Sequence, residues 1–95
     1  MEMQINYPGG VLNIKEMSKV SISEHLEDGR EGKFFIQAQK IDGSTVTFAE
    51  GIPTKKKATW LMFRFGAELN RAVESGVRAV EWSDVERPAR WRGRA

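Results

Sequence analysis

His25 is the only histidine among 95 residues, and the chain contains no cysteine. A multi-histidine or cysteine-ligated metal site and a cysteine nucleophile are therefore excluded. Ser21, Ser23 and His25 fall on one side of an alternating stretch, which would bring a hydroxyl near an imidazole. Nucleophilic catalysis also needs a group that orients the imidazole and donors for an oxyanion, and no pattern marks either. An exposed strand histidine is the expectation. Glu24, Glu27, Asp28 and Glu31 crowd one loop, but they lack the alternating spacing and glycine position of a calcium loop. They read as the solvated end of a hairpin. Gly9-Gly10 and Gly29-Arg30-Glu31-Gly32 carry no lysine–serine ending and open no helix, so both read as turns rather than phosphate loops. No catalytic residue, metal or cofactor is assigned, and the expectation is a protein that is not an enzyme.

Two groups of cations have chemistry of their own. Lys55, Lys56 and Lys57 stand where a helix begins. A helix N-terminus presents free amide donors, and lysines beside it would reinforce an anion site for a phosphate. The same charges oppose the macrodipole, at a cost of ~0.3–1 kcal/mol each; exposed lysines screened by salt are the plainer reading. Arg87, Arg90, Arg92 and Arg94 surround Trp91. Arginines contact phosphates and an indole stacks on an unpaired base, although such a tail equally stays solvated or pairs with the acidic loop.

The overall charge balance is uneven along the chain. Fifteen Lys and Arg against thirteen Asp and Glu give a net charge of +2. Residues 86–95 hold four arginines and Glu86, which leaves eleven basic and twelve acidic groups in residues 1–85, a net of −1. The expectation is one compact domain, 1–85, followed by a basic, flexible tail, 86–95. The apolar run Trp60 to Phe63 is far shorter than the ~20 residues that span a bilayer. No N-terminal stretch combines a basic region, an apolar run and a small-residue cleavage site, so a cytoplasmic location is expected.

The elements that position these groups are read from periodicity. Gln4 to Tyr7 is a first strand, stopped by Pro8-Gly9-Gly10, and Val11, Leu12 and Ile14 suggest a second. Val20, Ile22 and Leu26 share an apolar face, and Phe34, Ile36 and Ala38 alternate with Phe35, Gln37 and Gln39. Asp42-Gly43 between alternating strands predicts a hairpin with a two-residue type I′ turn. Gly51-Ile52-Pro53 ends the next strand. Thr54 is the expected N-cap of a helix running roughly 55–75, with Gly76 as its left-handed C-terminal residue. Ala58, Leu61, Met62, Phe65, Leu69, Ala72 and Val73 occupy an arc about 120° wide, the expected core face. A short strand over 78–82 is drawn from the alternation of Val80 and Trp82.

The fold class is therefore α+β: a meandering antiparallel sheet of about five strands, packed by one long amphipathic helix. This outline is similar to that of pleckstrin-homology-like domains. The resemblance is one of fold outline and carries no function.

Trp60, Phe63 and Ala67 lie within about 60° of one another, opposite the core arc, with Arg64 one turn beyond Trp60. A helix lying on a sheet should be polar there, so something is expected to cover these rings. The cover is either internal, from 77–82 or Trp91, or a second copy of the chain. The preferred reading is a small interaction module that self-associates through this face. The alternative is a nucleic-acid-associated protein that binds phosphates through Lys55, Lys56, Lys57 and the tail arginines. A membrane role ranks below both.

Overall fold

The computed structural model describes residues 3–26 and 32–87. The chain runs through β1 (Gln4–Tyr7), β2 (Gly10–Asn13), a 3-10 turn (Ile14–Glu16), β3 (Met17–Glu24), β4 (Phe34–Lys40) and β5 (Thr45–Ile52). It continues through α1 (Lys55–Ser75), β6 (Ala79–Glu81) and α2 (Trp82–Glu86). Glu27, Asp28 and Glu31 of the acidic loop and Arg90, Trp91, Arg92 and Arg94 of the tail lie outside the described residues.

The α+β class stands, but the strands do not form one five-stranded meander. Among the described residues, six strands form two three-stranded sheets, ordered β2-β1-β6 and β3-β4-β5. Local chemistry separates them. Asn13 Oδ1 accepts from the amide of Lys15 at 2.9 Å, which caps the 3-10 turn and interrupts the run between β2 and β3. β1 and β2 are an antiparallel hairpin around Pro8-Gly9. A Cβ at Gly9 would come within 3.0 Å of the Tyr7 ring, so the tight turn favours glycine there. The free side of β1 is taken by β6, which pairs in parallel, Ile5 opposite Val80. The division into two sheets and this parallel strand after the helix both depart from the pleckstrin-homology-like outline.

The β4–β5 hairpin forms with a different turn. No residue other than glycine has positive φ among the described residues, whereas a type I′ turn would require it of Asp42. The loop is Ile41-Asp42-Gly43, closed by Lys40 N–H to the Ser44 carbonyl at 2.7 Å. Only Gly43 enters the left-handed region, with φ 94°. A turn ended by such a glycine is the usual three-residue hairpin loop. Asp42 Oδ1 accepts from both the amide and the hydroxyl of Ser44, and these bonds hold its carboxyl below the ordinary aspartate value. Further along, the register of β4 against β5 shifts twice. Gly51, with φ 70°, lies beside the first shift.

Both sheets and both helices share one core. Ile5, Leu12, Ile36, Ala38, Phe48, Ile52, Val80 and Val85 are buried with Ala58, Leu61, Phe65 and Ala72 of α1. At its centre, Trp82 is only 1% exposed and stacks obliquely on Phe48 and Phe65, with ring centroids 5.2 and 5.5 Å away. Such aromatic pairs add ~0.5–1.5 kcal/mol each beyond the area they bury. Trp82, expected as the end of a strand, opens α2 instead. Leu26, expected on the apolar face of β3, lies beyond its end and is exposed.

Candidate functional site

The long helix is built by its ends. Thr54 accepts the amide of Lys57 on its Oγ1 at 3.1 Å, the expected N-cap. At the other end Gly76 has φ 73°, and the amides of Val77 and Gly76 return to the carbonyls of Ala72 and Val73. That pair of bonds is a Schellman motif. Between these caps the buried positions are Ala58, Leu61, Phe65, Glu68 and Ala72. The core face is thus turned from the expected arc. Val73 is 68% exposed, whereas Glu68 is 6% exposed. The periodicity fixes a stripe only to within a fraction of a turn about the helix axis; α2 and β6 decide which edge of it is covered.

The face opposite the core carries the aromatic residues singled out from the sequence. Phe63 is 77% exposed and Trp60 42% exposed; Ala67 is exposed beside them. Arg64 lies over the Trp60 indole, its guanidinium carbon 5.7 Å from the ring centroid, a cation–π contact. The same guanidinium is fixed from behind. Its Nε donates to the Val85 carbonyl at 3.1 Å, and its Nη2 donates to the carbonyls of Asp84 and Arg87 at 2.9 and 2.7 Å. These are carbonyls at the C-terminal end of α2, where a cation is also favoured by the helix dipole. Arg64 therefore joins α1 to α2 as well as bordering the aromatic patch. Nothing in its sequence position announces the second role. The segment 77–82 does not act as the cover, because Val80 and Trp82 turn into the core.

The remaining candidates are dispersed. Lys55, Lys56 and Lys57 are all exposed, and the first turn of α1 contains no acidic residue. Arg87 pairs with Asp84 at 3.5 Å. His25, expected as an exposed strand residue, instead lies just past the end of β3 and is half-buried, its ring packed on Phe35 with centroids 4.5 Å apart. Glu68, Arg71, Ser75, Glu81 and Asp84 border a cleft of about 150 Å³ beside β6, below the ~300–1,000 Å³ usual for small-molecule pockets. Among the described residues no group of three His, Asp or Glu side chains could hold a metal ion. No described helix is long and apolar enough to cross a membrane.

Comparison with protein-family models, curated proteins and solved structures gives no match to this chain.

Proposed function

We propose that this chain is a non-catalytic protein-interaction module whose partner is a second copy of itself, docked on the outer face of α1. The observation that carries the reading is the exposure of Phe63, 77%, at the middle of a 21-residue helix whose other face is in the core. Trp60 and Ala67 extend the patch along the same face. Trp and Phe are common interface anchors. The near-neutral charge of residues 1–85 offers little electrostatic protection against self-association. Sedimentation equilibrium across a concentration series tests the reading. The wild type should gain mass with concentration, and Phe63→Glu and Trp60→Asp should abolish that gain with the circular dichroism spectrum unchanged. A wild type that stays monomeric at millimolar concentration overturns it.

One observation favours a second reading, phosphate binding to nucleic acid through Lys55, Lys56 and Lys57 with the tail arginines. The three lysines are exposed and no acidic side chain of the first turn neutralises them. Binding of this kind weakens linearly in log affinity against log salt. Absence of binding to single-stranded or duplex DNA and RNA at low salt removes it.

A further inference from the structure

Lys56, Trp60, Phe63, Ala67, Asn70 and Glu74 follow one another along α1 at alternating steps of four and three residues. That spacing keeps a single stripe of one helix against another helix. All six are exposed. The stripe also has an internal symmetry. Phe63 and Ala67 stand equally far on either side of Phe65, as do Trp60 and Asn70, and Lys56 and Glu74.

Resting on the self-association proposed above, we infer that two copies pair their α1 helices antiparallel, about a two-fold axis level with Phe65. In that arrangement Phe63 meets the partner's Ala67, a large side chain against a small one. Gly66 adds room beside it, since a Cβ there would have no atom within 4 Å. Lys56 meets the partner's Glu74 at both ends of the contact.

The charges on α1 favour this direction. Its first turn has no acidic residue and its last turn no basic one, the reverse of what each helix's own macrodipole favours. Lys55, Lys56 and Lys57 sit at the positive end, and Glu74 sits at the negative end. Antiparallel docking lays each unfavourable charge against the opposite end of the partner helix. Parallel docking would instead stack six lysines together and place the two Glu74 carboxylates side by side.

The absence of cysteine makes single-cysteine variants clean reporters. Lys56→Cys and Glu74→Cys proteins are mixed, allowed to exchange subunits, and treated with a short thiol–thiol cross-linker. The mixture should give a cross-linked heterodimer, whereas each variant alone should not, because like positions lie ~27 Å apart in the antiparallel pair at 1.5 Å per residue. Independently, Lys56→Glu should weaken self-association at least several-fold at low salt, and Lys56→Glu with Glu74→Lys should restore it. Three results overturn the pairing: cross-linking of either variant with itself, no cross-linking in the mixture, or no recovery in the double reversal. If the wild type still dimerises and Phe63→Glu still breaks the dimer, only the direction of pairing has failed. A wild type that is monomeric throughout overturns both the pairing and the reading beneath it.

Discussion

Arg64 on α1 donates from Nε to the main-chain carbonyl of Val85 at 3.1 Å, and so ties the long helix to the short one that follows β6. Two further bonds from Nη2 reach the carbonyls of Asp84 and Arg87. One side chain thus satisfies three carbonyls near the end of a five-residue helix, which has too few turns to be stable by itself.

Arg64→Met keeps much of the packed stem and removes the donors. Hydrogen bonds from charged groups are worth ~1.5–3 kcal/mol, so the variant should lose about that much stability in urea unfolding. Amide exchange should accelerate first in α2, ahead of β4 and the centre of α1. Unchanged protection of the Val85 and Glu86 amides would show that α2 is held by Val85 and Trp82 packing alone.

Trp82 tests the core in the same way. Its ring is 1% exposed, and its Nε1 has no hydrogen-bond partner among the described residues. Trp82→Ala should cost ~3–5 kcal/mol, a large share of the stability of a domain this size. Trp82→Phe should cost less than half of that, because it also removes a buried donor whose burial without a partner costs ~1–3 kcal/mol. Equal losses in the two variants by chemical denaturation would mean that the indole nitrogen is satisfied in solution.

Asp42 supplies a pH dependence. The hydroxyl and amide of Ser44 lower its carboxyl pKa in the folded chain. A group lowered on folding stabilises above its unfolded pKa, and that stabilisation is lost as pH falls through the folded value. Ser44→Ala removes the hydroxyl and leaves the amide, so the Asp42 pKa should rise toward the ordinary aspartate value. Carboxyl chemical shifts followed through an acid titration measure it directly. An unmoved Asp42 titration would mean that the hydroxyl bond is not held in solution.

Much of the fold is legible in the residues themselves, and the limits of that legibility are physical. The helix Lys55–Ser75 agrees with the sequence reading at both ends because its Thr54 cap and Gly76 terminator act within a few residues of themselves. The apolar side of β4, Ile36 and Ala38, is legible for the same reason: alternation is a local property of a strand. The Asp42-Gly43 signal marks a hairpin correctly but not its loop, since the same dipeptide serves either a two-residue turn or a turn ended by a left-handed glycine. The aromatic stripe at Trp60 and Phe63 is legible as unexpected apolar surface. The anchoring of Arg64 is not, because its partners are main-chain carbonyls, which every residue possesses.

The sequence by itself determined the class of fold, the limits of the long helix and the face on which Trp60, Phe63 and Ala67 stand. Each follows from patterns and interactions local to a short stretch of chain. Only the tertiary structure decided that β1 pairs in parallel with β6, that the strands divide into two sheets, that Trp82 fills the core, and that Glu68 is covered while Val73 is not. Those outcomes depend on which strand edge and which helix flank remain open once the local elements have formed. Residues more than seventy positions apart, such as Ile5 and Val80, compete for those places through burial and geometry, and neither leaves a periodic trace in the chain.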